Sequence, residues 1–177
     1  MDQEHDKGFR DLLSNASVFV SLLRAFVKES WTAQVEPEQL ELVRTSFITS
    51  AFEKREADII YKMKRKRRSL KTGPLTIDIY FYCLLELQSS VDFSMPVRLL
   101  VYMVSFWIEL LKNTPDEEQT RKGFRLPVII PLVLYNGQEP WTVAPDFAEI
   151  CADSGLFGEY ALNFKYYLID VHRLQAE

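Results

Sequence analysis

The 177-residue chain has too few cysteines and histidines for several familiar chemistries. Two cysteines, Cys83 and Cys151, cannot make a disulfide framework. Each lies among apolar neighbours, so both are expected as buried, reduced thiols of a cytoplasmic protein. His5 and His172 are too few and too near the ends to suggest zinc, and a surface role is expected for both. GxSxG, HExxH, Walker A and CxxC patterns are all missing, which leaves serine hydrolase, zincin, P-loop and thioredoxin chemistry without support. No apolar stretch approaches the ~20 residues that cross a bilayer. The longest, Leu99 to Ile108, is ten residues including a serine, and the polar start MDQEHDKGF is no signal peptide, so no membrane is expected.

Acidic charge is missing from one place. Between Ile59 and Ile77 stand seven basic residues (Lys62, Lys64, Arg65, Lys66, Arg67, Arg68 and Lys71) and no acidic one. That leaves 14 basic against 25 acidic side chains elsewhere, so one cationic patch sits on an acidic body. Such a patch attracts a polyanion, although a basic run also serves as a plain solvated hairpin tip. With 47% hydrophobic residues the chain is no disordered tail, and its length suits one domain over residues 1–177.

Hydrophobic spacing predicts a helix over Phe9 to Val27, weakened at Asn15 and Ser17. A second short helix is expected after Glu36-Pro37, over Glu38 to Val43, then a strand over Thr45 to Thr49. Ala57 to Met63 and Thr76 to Leu87 read as strands with the Gly73-Pro74 turn signal between them. Met95 to Lys112 reads as a helix capped by Ser94. Its two apolar stripes, Val97-Val101-Val104-Ile108-Leu111 and Leu99-Tyr102-Phe106-Leu110, imply burial on two sides. The second side could meet another copy in a homodimer through helix 95–112, or a region beyond the chain. Asp116 to Lys122 reads as a charged loop or helix start. Leu126 to Leu134 is a strand that Pro127 and Pro131 push toward a sheet edge, ended by Tyr135-Asn136-Gly137. A short helix over Asp146 to Ala152 and a strand over Ala161 to Val171 complete an α/β chain with helices on a central sheet.

A hairpin turning at Thr72 would set Asp58 opposite Glu86, Ile60 opposite Leu84 and Lys62 opposite Tyr82. Opposed residues share a face at about 4.5–5.5 Å, alternation brings Gln88 to that face, and a slip of two residues would preserve it. Two close carboxylates repel unless a cation lies between them, and Mg²⁺ fits an oxygen donor set. The opposite face, with Ile59, Tyr61, Met63, Phe81, Cys83 and Leu85, suits a core. Lys62, Lys64 and Lys66 extend the carboxylate face, as a phosphodiester substrate requires. Taken singly, Asp58 could instead pair at the surface with Lys54 or Arg55. Tyr80, Tyr82 and Trp107 could stack on bases, but at this spacing a core role is expected.

The segments HDKGFRDLL, KREADIIYKMK, YFYCLLELQSS with a following aspartate, PVRLLVYMVSFW, LPVIIPLVLYNGQEPW and FGEYALNFKYYLID occur in this order between His5 and Asp170. Together they resemble the recombination-promoting nucleases, also called YhgA-like putative transposases, of the PD-(D/E)XK nuclease superfamily. The resemblance implies a restriction-endonuclease-like αβββαβ core with a mixed central sheet, and metal-dependent cleavage of DNA phosphodiesters. It implies Asp58 and Glu86 as metal ligands, with the Leu87 carbonyl as a further one. Mg²⁺ is the implied ion, with Mn²⁺ or Ca²⁺ as substitutes. Gln88 stands where the wider superfamily has lysine and is implied to orient the attacking water. Asp6 and Asp11 are alternative additional acids from the first helix. Lys62, Lys64, Lys66, Arg67 and Arg68 are the expected phosphate contacts. Arg44 stands where the family pattern has aspartate, and family members extend well past the last residue here. A catalytically degenerate nucleic-acid-binding or assembly module of the same fold therefore remains the alternative, and RNA the alternative substrate.

Overall fold

A computed structural model describes residues 2–43, 59–69, 73–86 and 91–173, of which 2–7, 65–69, 73–78, 82–86 and 173 are described as backbone. The expected first helix is two. Helix α1 (Asp2–Leu13) ends where Asn15 takes an extended conformation and accepts hydrogen bonds from the Ser17 and Val18 amides, capping α2 (Ala16–Phe26). The break at Asn15 follows from its cap chemistry, which competes with the helical backbone. The α1 end is tied to the sheet, where the Tyr61 phenol donates to the Leu13 carbonyl at 2.8 Å.

Short 3₁₀ turns at Ser30–Gln34 and Pro37–Gln39 follow, joined to α2 by Arg24, which donates to the Val35 carbonyl and the Glu36 carboxylate. The helix expected over Glu38 to Val43 is instead a 3₁₀ turn leading into strand β1 (Leu40–Val43). Four residues are too few to sustain a helix, and LELV gains a ladder partner in β2 (Ile59–Ser69). The strand expected at Thr45 to Thr49 lies outside the described residues.

The sheet has the order β1-β2-β3-β4-β5, with β3 (Gly73–Glu86), β4 (Val128–Tyr135) and β5 (Tyr167–Asp170). The first three strands are an antiparallel meander, and β4 and β5 join parallel to β3. This is the expected αβββαβ order in a mixed sheet with a fifth strand added. The β2–β3 hairpin is longer than the sequence suggested. Ser69 pairs with Gly73, so the basic run lies in β2 itself, and Gly73-Pro74 opens β3 instead of forming the turn. The register is Ile60 to Tyr82 and Lys62 to Tyr80, two residues away from the expected opposition but with the same alternation.

Pro131 does not place β4 at an edge, because β4 lies between β3 and β5. The rule behind the expectation still operates locally. The ladder with β5 begins at Leu132, so Pro131 has β3 as neighbour on one side and can spare a donor on the other. Pro74 is tolerated likewise, since β4 reaches β3 first at Ile79.

Both faces of the sheet are covered. On one, Leu13, Phe19, Val20 and Leu23 of α1 and α2 meet Ile59, Tyr61, Met63, Phe81, Leu132, Leu134 and Ile169. That is the odd-numbered face of β2 and β3 expected to form a core. On the other, Met95, Leu99, Tyr102, Met103 and Phe106 of α3 (Met95–Lys112) meet Ile60, Tyr80, Ile129, Val133 and Tyr166. Helix α3 has the expected bounds but is buried along one stripe. Val97, Val104 and Ile108 of the other stripe are exposed, because the sheet supplies a single surface. A short α4 (Asp116–Gln119) follows, and after β4 a 3₁₀ turn (Phe147–Ile150) and α5 (Ser154–Phe157) precede β5. The final strand is shorter than the expected Ala161 to Val171. Cys151 is free and half-buried, not fully buried as expected.

Candidate functional site

The parallel ladders place the carboxyl ends of β3, β4 and β5 in one row, with Glu86 beside Tyr135 and Tyr135 beside Asp170. Strand carboxyl ends are where α/β sheets place ligands. Glu86 is the last residue of β3 and shares even numbering with Ile60, Lys62 and Tyr80, the alternation expected for it. Asp58, Leu87 and Gln88 lie outside the described residues, as does Arg44. Of the two helix acids weighed, Asp11 is exposed on α1, and Asp6 is described as backbone within it.

Asp170 was not singled out from the sequence. Its signal is the acid that ends the apolar run YLI, two strands from Glu86 on the same row. It is half-buried, and its carboxylate accepts from the His172 amide at 3.2 Å. Between the two acids, Tyr135 is fully buried, packs edge-on against Trp141 and donates its phenol to the Glu139 carbonyl at 2.9 Å. The loop after β4 folds back so tightly that a methyl group on Gly137 would lie 2.0 Å from the Tyr135 hydroxyl oxygen. Glycine is required there by the close approach, which explains the YNG sequence better than turn preference alone.

Downstream of the row, α3 starts on a carboxylate. Ser94 is the N-cap residue, as expected, but its hydroxyl makes no capping hydrogen bond and donates instead to Asp92, which also accepts from the Ser94 amide and pairs with Arg98. Burial alone would raise the Asp92 pKa, but hydrogen bonds from Ser94 and Arg98, with the Arg98 charge, hold it below its ordinary value. A carboxyl depressed in the folded state contributes stability above its unfolded pKa of 3.8 and loses it as pH falls through the folded value. Asp92→Asn is therefore expected to flatten the stability profile below about pH 4. Urea melts across pH 2–6 measure it, and an unchanged acid slope in the variant would contradict the pairing.

The expected phosphate contacts divide by position. Lys62 is half-buried, with its ammonium 5.6 Å from the Tyr80 ring centre. Tyr80 itself is buried against Phe106, the core role expected for it, and Trp107 donates its indole N–H to the Pro127 carbonyl. Lys64 is exposed. Lys66, Arg67 and Arg68 follow on β2, described as backbone. From Lys64–Asp78 to Ser69–Gly73 the two strands pair with each other beyond the reach of β1 and β4 among the described residues. They form a ribbon about 20 Å long at ~3.4 Å per residue.

For a metal, the relevant property is the chemistry of the donors. Asp58, Glu86 and a main-chain carbonyl are oxygen donors, which suit a hard divalent cation. Among the described residues no group of three or more His, Cys, Asp or Glu gathers to hold an ion. Nor is any helix among them long and apolar enough to cross a membrane.

Comparison with known proteins follows the same line. Residues 3–177 match the model of the family described as "Putative transposase, YhgA-like". The chain is similar to the "Inactive recombination-promoting nuclease-like protein RpnE" of Escherichia coli (strain K12), 24% identical over 135 residues, or 76% of this chain and 39% of that protein. It is also similar to the "Recombination-promoting nuclease RpnD" of Escherichia coli O157:H7, 22% identical over 172 residues, or 94% of this chain and 58% of that one. The chain thus spans less than two thirds of the length of either relative. No solved structure matches it. With the family pattern running over nearly all of its length, the chain belongs to the YhgA-like putative transposase family.

Proposed function

We propose that this chain is a metal-dependent DNA endonuclease domain acting in the cytoplasm. The observation that carries the reading is the division of labour along one hairpin. Glu86 ends β3 at the carboxyl row, while the same two strands extend at the other end into a ribbon with five basic positions from Lys64 to Arg68. Asp58 and Glu86 hold a divalent cation, with the Leu87 carbonyl as a third donor. Bound there, such an ion polarises a phosphate oxygen and lowers the pKa of a coordinated water. Gln88 is neutral and acts by orienting the nucleophile, not by taking its proton. Lys64, Lys66, Arg67 and Arg68 neutralise backbone phosphates, and Lys62 adds its charge from the foot of the ribbon. A two-stranded ribbon also fits the major groove of duplex DNA, about 12 Å wide.

Supercoiled plasmid tests the reading. Nicking is expected with Mg²⁺ and not with EDTA, and no nicking under either condition would sink it. One observation favours the second reading, a nucleic-acid-binding module without catalysis: RpnE is named inactive. Salt-sensitive DNA binding without cleavage would select that alternative.

A further inference from the structure

The sheet is longer than the helices that cover it, and on the α1–α2 side this leaves a cavity of about 680 Å³. Ligand cavities usually measure about 300–1,000 Å³. Trp31, from the first 3₁₀ turn, forms one wall. Its ring stacks on the buried Phe81 ring at 5.7 Å and 22° and meets Tyr167 edge-on at 6.2 Å, so it is braced from two directions. Gln34 and Gln39 line the cavity, Val128 is an exposed apolar lining residue, and Lys64 lines it where the ribbon begins. The Gln39 side-chain oxygen accepts from the Glu36 amide, which orients that amide group. No carboxylate lines the cavity among the described residues.

We propose that this cavity binds one unstacked nucleotide of the nucleic acid that the ribbon holds. The inference rests on the nucleic-acid reading above and adds a second contact to it. A braced indole offers a flat surface for a base, and the glutamine amides match the donors and acceptors of a base edge. A fatty chain would leave the amides unused, and a sugar would leave the aliphatic floor unused. The cavity lies seven residues along β3 from Glu86 when counted from Ile79, about 23 Å at ~3.3 Å per residue, and on the other face of the sheet. It therefore holds a nucleotide away from the bond that is cut. Because a paired base must first leave its stack, single strands bind the cavity and intact duplex does not.

Fluorescence anisotropy of a labelled twelve-nucleotide oligothymidylate and of a matched duplex, on the full chain, tests this. Trp31→Leu removes the stacking surface, and Val128→Asp sets a negative charge at an exposed lining position without disturbing the core. Leu156→Asp makes the same charge change on α5, where Leu156 is 81% exposed and outside the cavity. Both cavity variants are expected to weaken single-strand binding about tenfold. The control is expected to shift it by less than about twofold, and duplex binding is expected to change little in any of them. Val128→Asp binding the single strand no more weakly than Leu156→Asp would overturn the proposal, as would a parent chain that binds no oligonucleotide. Cleavage decides the other reading separately. A chain that cuts plasmid with unaltered cavity variants loses the nucleotide site alone, and one that binds through the cavity but never cuts loses the nuclease alone.

Discussion

Asp58→Ala and Glu86→Ala chains are each expected to lose Mg²⁺-dependent plasmid cleavage by more than about 100-fold. Loss of an outer-shell partner of a metal already costs about 10–100-fold, and these residues are proposed as direct ligands. Their folds are expected to survive, because removing one of two carboxylates proposed to share an ion relieves their repulsion. Thermal melts separate the roles. Saturating Mg²⁺ at about 100 times its dissociation constant stabilises a binding-competent chain by about 2.7 kcal/mol, and neither variant should show that rise. Full cleavage by both variants would remove these residues from the site while leaving the fold as described.

Phe81→Ala is expected to cost about 3–5 kcal/mol of stability. The side chain is fully buried at the centre of the sheet, edge-on to Phe19 at 6.1 Å and stacked under Trp31 at 5.7 Å. Its removal leaves a void that neither ring can fill, since Phe19 is held against Tyr61 at 4.6 Å. At about 2–4 °C per kcal/mol for a domain of this size, melting falls by roughly 6–20 °C. Calorimetry checks it, and a loss below about 1 kcal/mol would mean that the two layers close over the gap.

Where one local signal dominated, the sequence was enough. Met95–Lys112 could be bounded from its two apolar stripes and Ser94 just before them, and the helix has those bounds. The core face of Ile59, Tyr61, Met63 and Phe81 followed from alternation alone. Misreadings arose where the outcome depended on distant neighbours. LELV is helical by propensity and a strand because β2 lies beside it. Pro131 signalled an edge that exists over a few residues, before β5 begins. The hairpin register slipped by two because Gly73-Pro74 is turn chemistry placed where β3 has no second neighbour among the described residues. The paired apolar stripes of α3 could not reveal that a single one would find a surface. Of the candidate row, the place of Glu86 at the end of β3 was legible because an acid that closes an apolar strand needs a reason to be there. Asp170 was not, since its place beside that row follows from the order of strands, which no stretch of sequence carries locally.

Helices pack on both faces of the sheet, which bears on how the proposed nucleic acid would reach this protein. Over the described residues those helices cover the middle of both faces, so the proposed duplex would lie lengthwise, along the axis of the strands. One extremity carries the acids, the other the cations. A nucleic-acid substrate of the proposed kind, touching both, would run parallel to β3 for the length of its fourteen residues, or some 45 Å at ~3.3 Å per residue. That is more than one full turn of B-form DNA, so fragments shorter than about 13 base pairs cannot bridge both extremities at ~3.4 Å per pair.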